Sequence, residues 1–86
     1  MKLSVYSLKK ILFQGEAKSL NCRTVTGEIT VLDNHETFIT VLSVGVMKIV
    51  PAKSSADDRG TELFFPIKSG FLEVKEGNET RCIVEE

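Results

Sequence analysis

The sequence predicts an all-β domain: a small flattened sandwich or barrel of about eight to ten short, mainly antiparallel strands. Three observations carry that reading. Apolar residues recur at every second position in short runs along most of the chain. Turn-forming residues separate the runs, and six glycines are spread at positions 15, 27, 45, 60, 70 and 77. No segment keeps a helical period for long enough to be stable alone.

The first strand has Leu3 and Val5 on one side and Ser4 and Tyr6 on the other. Leu8, Ile11 and Leu12 then have i, i+3, i+4 spacing, but Gly15 limits that pattern to about two turns. The reading is a turn followed by a short strand over Ile11–Phe13. Further on, Leu20, Cys22 and Thr24 alternate with Asn21, Arg23 and Val25. Thr26-Gly27 supplies a turn, after which Ile29 and Val31 alternate with Glu28 and Thr30. Asp33-Asn34 supplies the next turn, since Asn tolerates positive φ and both side chains bond nearby backbone. Phe38–Val44 reads as an apolar strand closed by Gly45, and Met47 and Ile49 flank Lys48 in the strand that Pro51 ends. Lys53-Ser54-Ser55 and Asp57-Asp58-Arg59-Gly60 form the most loop-like stretch. Pro66 lacks a backbone donor, which makes Leu63–Lys68 an edge or bulged strand. Leu72 and Val74 alternate with Phe71, Glu73 and Lys75; Gly70 is read as a turn before them and Glu76-Gly77-Asn78 as a turn after. Cys82 and Val84 close the pattern, alternating with Arg81 and Ile83. A one-residue slip in any of these strands would turn its apolar set to solvent, so the alternation also specifies register.

Eighty-six residues form one domain, spanning 1–86. Eleven Lys plus Arg against twelve Asp plus Glu give a net charge of −1. That balance argues against a nucleic-acid partner, because such binding rests mostly on phosphate neutralisation. No apolar run approaches the ~18–20 residues that cross a bilayer, and the N-terminus lacks a signal peptide's apolar stretch. Cys22 and Cys82 make no CxxC and read as two buried, reduced thiols, with the cytoplasm as the default compartment.

An enzyme reading lacks its residues. The single histidine, His35, excludes a multi-His metal site, and no nucleophile elbow or phosphate-cradling loop is present. A dyad of His35 with Cys22 or Cys82 is open to either cysteine. Asp57 and Asp58 read as an exposed acidic loop. No cofactor is implied. The aromatic residues Tyr6, Phe13, Phe38, Phe64, Phe65 and Phe71 are expected to anchor the core, with one of Phe64 and Phe65 emerging on a second surface.

The densest segment runs from Gly27-Glu28 through Asp33-Asn34-His35 to Gly45. It is a strand, a turn exposing an acid and an imidazole, an apolar strand and a glycine. This pattern resembles the epsilon subunit of the F-type rotary ATP synthase, whose members read G-E-x-G-V-L-P-G-H-x-P-x-I/L-T-x-L-x-x-G. Gly27-Glu28, Val31-Leu32, His35, Ile39-Thr40, Leu42 and Gly45 match in spacing. The resemblance extends to both ends, through Leu3–Ser7 and Phe13-Gln14-Gly15, and through Ser69-Gly70-Phe71-Leu72-Glu73-Val74. Thr30, Asp33-Asn34 and Thr37 depart from the family's glycine, Pro-Gly and proline.

The resemblance implies a non-catalytic central-stalk subunit that links the gamma subunit to the membrane c-ring. It implies peripheral association with the cytoplasmic face of the bacterial inner membrane, without insertion into lipid. Glu28 and His35 match positions that face the polar loops of the c-ring, and Gly27, Asp33, Asn34, Gly45 and Gly70 match structural turns. The family's two C-terminal helices have no counterpart in these residues, so their regulatory and ATP-binding activities are not carried over. The rival reading is a free-standing OB-like binding module, which requires a basic, aromatic-lined groove.

Overall fold

The computed structural model describes residues 1–52 and 62–86, so the loop reading of Lys53-Ser54-Ser55 and Asp57–Gly60 falls outside the described residues. Eight strands are present among them: β1 Lys2–Ser7, β2 Ile11–Thr24, β3 Gly27–Leu32, β4 Phe38–Leu42, β5 Gly45–Pro51, β6 Leu63–Ile67, β7 Ser69–Lys75 and β8 Glu79–Glu85. The all-β reading is correct, and no described residue is helical. All strand pairs are antiparallel except β1 with β8.

Two layers face each other across the core. One holds β1, β8, β7 and β4 in that order; the other holds β3, β2, β5 and β6. Strand β2 belongs to both. Its first half pairs with β1, and its second half lies between β3 and β5. This corrects the short strand expected over Ile11–Phe13. Gly15 does not end the element: it pairs with Leu3, and a Cβ placed on it would meet nothing within 4 Å. A register shift between Ala17 and Ser19 follows, so the strand bends from one layer to the other without breaking.

Alternation selects the core as expected. Leu3, Val5, Leu20, Cys22, Val31, Leu42, Met47, Ile49, Leu72, Val74, Cys82 and Val84 are all buried, while Asn21, Arg23, Arg81 and Ile83 lie outside it. Buried side chains bring about 25 cal/mol per Å² of apolar surface removed from water, which makes this cluster the main source of stability. The aromatic expectation needs correcting, because none of the six rings is in the buried cluster. Phe13, Phe38 and Phe65 pack against its margin, and Phe64 and Phe71 are each 59% exposed. Aliphatic and sulfur side chains fill the narrow space between the layers, and the larger rings are left at its margin or outside it. Phe64 does emerge on a second surface, as read from the alternation, with Phe65 turned inward.

Strand β6 pairs only with β5 among the described residues, with Pro66 opposite Val46. The proline thus sits on an edge strand, where its missing donor costs no ladder bond.

Candidate functional site

The register defines two ends of the sandwich. One end gathers Met1, the Glu16-Ala17 bend of β2, the β3–β4 loop and the Glu76-Gly77-Asn78 turn, because Lys2 pairs with both Glu16 and Glu79. The opposite end gathers the Ser7–Lys10 turn, the β2–β3 hairpin and the Ser43-Val44 turn. There Thr24 pairs with Leu42, Leu42 with Gly70, and Gly70 with Val84.

Glu28 lies near the second end. It is exposed on β3 and pairs with Arg23 of β2. The hairpin beside it is tight: Thr24 pairs with Gly27, the Thr24 hydroxyl donates to the Gly27 carbonyl at 2.6 Å, and the Thr26 N–H donates back to that hydroxyl at 3.2 Å. Gly27 begins β3 just after the Val25-Thr26 turn, with φ +131°, which L side chains rarely adopt.

His35 lies at the first end, in the exposed loop after β3. Its ring packs on Phe38 with centroids 5.1 Å apart, and its Nδ1 is 2.9 Å from the Glu36 carbonyl oxygen. The two predicted site residues are therefore not brought together, being separated by the length of β3 at about 3.3 Å per residue. They flank one feature, however. Strand β3 pairs only with β2 among the described residues, so its outer edge runs from the neighbourhood of Glu28 towards that of His35. Glu28, Thr30 and Leu32 are exposed along it.

The loop carrying His35 is anchored by its first two residues. Asn34 has φ +59°, as a turn asparagine can, and its N–H donates to Asn78 Oδ1 at 2.7 Å. The Asp33 carboxylate accepts from the Met1 ammonium and, at 3.4 Å, from Asn78 Nδ2. These contacts hold the Asp33 carboxyl below its ordinary pKa, the ammonium hydrogen bond contributing most and Asn78 next. The ammonium also donates to the Ala17 carbonyl at 2.9 Å and lies 3.7 Å from the Glu16 carboxylate.

Gly45 and Gly70 have roles other than the turns expected of them. Gly45 begins β5 opposite Ile67, just after the turn, with no left-handed φ. Gly70 lies within β7, where a Cβ would be 2.4 Å from the Ile83 carbonyl oxygen. Glycine is needed there for the close approach of backbone to backbone.

The thiols do not meet the imidazole. Cys22 and Cys82 are fully buried and free, whereas His35 is exposed. Burial pushes Cys22 up to about 11, with Glu28 adding to the rise, and burial pushes Cys82 further in the same direction. Both thiols hold their protons at neutral pH, which removes the nucleophile from a Cys–His dyad.

The resemblance implies a gamma-facing surface of apolar residues on the outer side of one sheet, without naming them. On the outer face of the β1-β8-β7-β4 layer, Tyr6 pairs with Ile83, Ile83 with Phe71, and Phe71 with Val41. Ile83, Phe71 and Val41 form an exposed apolar row across three strands, half-buried Tyr6 extends it onto β1, and Ile39 lies next to it. An Arg81–Glu73 ion pair at 3.0 Å borders it. The signal was present as apolar residues in both phases of Phe38–Leu42, a pattern of strands covered on two faces.

Comparison with known proteins gives this geometry a family. The profile described as "ATP synthase, Delta/Epsilon chain, beta-sandwich domain" matches residues 1–86. The ATP synthase epsilon chain of Clostridium novyi is 38% identical over 74 residues, 85% of this chain and 51% of that one. The epsilon chain of Sulfurovum sp. is 32% identical over 85 residues, covering 99% of this chain and 61% of that one. This chain thus spans about half to three-fifths of the length of the curated relatives it matches. In the Tetrahymena thermophila mitochondrial ATP synthase, solved as central stalk and c-ring, one chain has the same fold with a TM-score of 0.80. Its identity is 16%, and the match covers 100% of this chain and 63% of that one. A β-sandwich matched by the profile from its first residue to its last belongs to the ATP synthase delta/epsilon family, as the β-sandwich domain of an epsilon chain.

Proposed function

We propose that this domain is a non-catalytic element of the central stalk, held between the gamma subunit and the c-ring and coupling ion translocation to ATP synthesis. The family match over the whole chain is the observation that carries this reading. Two surfaces give it physical content. The apolar row of Tyr6, Ile83, Phe71 and Val41 suits a protein partner that removes it from water. The edge of β3, flanked by Glu28 and His35, suits the polar loops of a membrane ring. A carboxylate and an imidazole there can exchange charge-assisted hydrogen bonds with basic or amide groups.

The work on this reading is mechanical. Two layers tied by one continuous strand suit that work, since close-packed protein interiors yield little under force. The rival OB-like module gains no support, since the exposed rings Phe71 and Phe64 each lie beside an acid–base pair, Arg81–Glu73 and Lys48–Glu62, rather than in a basic groove.

The test is assembly. The Glu28→Lys, His35→Ala double variant should keep its circular dichroism spectrum and lose recovery with the c-ring and ATP-driven ion pumping. Unchanged pumping in that variant would remove both residues from the ring contact. Failure of the unaltered chain to co-purify with gamma or the c-ring would remove the stalk reading.

A further inference from the structure

We propose that Asn78 and Asp33 form a side-chain latch between the β7–β8 turn and the β3–β4 loop, and that this latch fixes the conformation in which His35 is presented. The proposal rests on the ring-facing reading of His35 for its functional consequence, but the latch itself stands on geometry alone.

The two turns are 44 positions apart in sequence and no strand ladder joins them. Their connection runs through side chains. Asn78 Oδ1 accepts the Asn34 N–H at 2.7 Å, and Asn78 Nδ2 donates to Asp33 Oδ1 at 3.4 Å. One amide thus engages two consecutive residues, with acceptor and donor both used. Asp33 is in turn held by the Met1 ammonium, which is itself bonded to the Ala17 carbonyl. The loop is tied through this chain of contacts to β2 as well as to the β7–β8 turn.

Backbone conformation sharpens the argument. Asn78 has φ +58°, in the left-handed region where glycine is the least strained residue. Asparagine tolerates that region, yet conformation alone does not require its side chain. The hydrogen bonds to Asn34 and Asp33 give the amide a role that glycine could not fill. Beyond Asn34, residues 35–37 have no strand pairing, so their path depends on the latch at one end and on Phe38 at the other. His35 sits between these anchors. Asn78 lies in the β7–β8 turn, outside both β3 and residues 35–37, so varying it leaves the Glu28 and His35 side chains themselves unaltered.

The test is Asn78→Gly, which keeps the left-handed turn and deletes the amide. Amide hydrogen exchange, read by NMR on the 86-residue chain, should quicken at Asn34 by roughly five- to tenfold, the equivalent of one net hydrogen bond. The Leu72 and Cys82 amides serve as the reference, and their rates should stay unchanged. A uniform rise at all three positions would mean general destabilisation and would overturn a local latch, as would unchanged exchange at Asn34. Asp33→Ser provides a second, independent cut with the same expected pattern.

The functional half is read separately, by c-ring recovery of the single variants Asn78→Gly and His35→Ala and of their combination. Presentation of His35 by the latch predicts that Asn78→Gly weakens recovery and adds nothing when His35 is already alanine. Full additivity would overturn that half. If His35→Ala alone leaves recovery unchanged while Asn34 exchange still quickens, the latch holds and the ring-facing reading of His35 is what fails.

Discussion

An added methyl group is least tolerated at Gly70. Its Cβ would lie 2.4 Å from the Ile83 carbonyl oxygen and 3.0 Å from the Val84 Cα, both backbone atoms that no rotamer change can move. Gly70→Ala should therefore cost about 1–3 kcal/mol, the usual range for overpacking. The measurement is a lowered urea midpoint with an unchanged slope. Gly45→Ala is the matched control, because its nearest neighbour is the Arg23 Cβ at 3.4 Å, an ordinary van der Waals contact. If both variants lose equal stability, backbone crowding is not the cause at position 70. The motif position alone suggests a turn at Gly70; the close packing of β7 on β8 explains the glycine instead.

At the scale of elements, the stalk proposal predicts that the apolar row across β1, β8, β7 and β4 separates stability from association. Phe71 and Ile83 are 59% and 50% exposed, so serine at both positions removes little that the folded domain buries. The double variant should melt close to the unaltered protein and bind the gamma subunit about tenfold or more weakly, as loss of buried aromatic and aliphatic anchors does. Unchanged affinity would exclude this face as the gamma contact. The same strands show where sequence reading succeeds and where it stops. Alternation at Leu20-Cys22-Thr24 and at Leu72-Val74 identifies the inward face directly, since each inward residue is flanked by a polar neighbour. Phe38–Leu42 is apolar in both phases, so its inward face cannot be read from polarity. The crossing of β2 between layers is hidden because a glycine in a strand and a glycine ending one look alike in sequence. Glu28 and His35 are readable as exposed positions on a motif, but their placement towards opposite ends of the sandwich depends on pairings between distant strands. The contact between Asn78 and Asn34 is invisible for the same reason.

For the molecule as a whole, the core carries a built-in response to alkali. Cys22 is held from its ordinary 9.0 up to about 11, mainly by burial and then by Glu28, and Cys82 is shifted upward by burial and then by Cys22. The folded state keeps these protons, whereas an unfolded chain releases them above its ordinary thiol pKa. The stability they contribute is thus fully present below 9.0 and declines as pH rises towards about 11 for Cys22. Urea midpoints measured from about pH 8 to about pH 10.5 should fall across that window. The Cys22→Ala, Cys82→Ala variant should start lower, through cavity formation, and fall less steeply. An equal slope in both proteins would assign the alkaline loss to other groups.

The parallel pairing of β1 with β8 has a consequence for the birth of the protein. Leu3 pairs with Thr80 and Val5 with Cys82, so the first strand of this domain is completed by its last. Until residues 79–85 emerge, β1 can form only its ladder with β2, and Leu3 and Val5 remain partly open to water. Pairings between distant residues also slow the search for the native state, because the intervening chain must be closed before the contact repays it. Completion of the β1–β8 ladder therefore waits for synthesis of residues 79–85, and β1 stays open on that side while the rest of the domain is made.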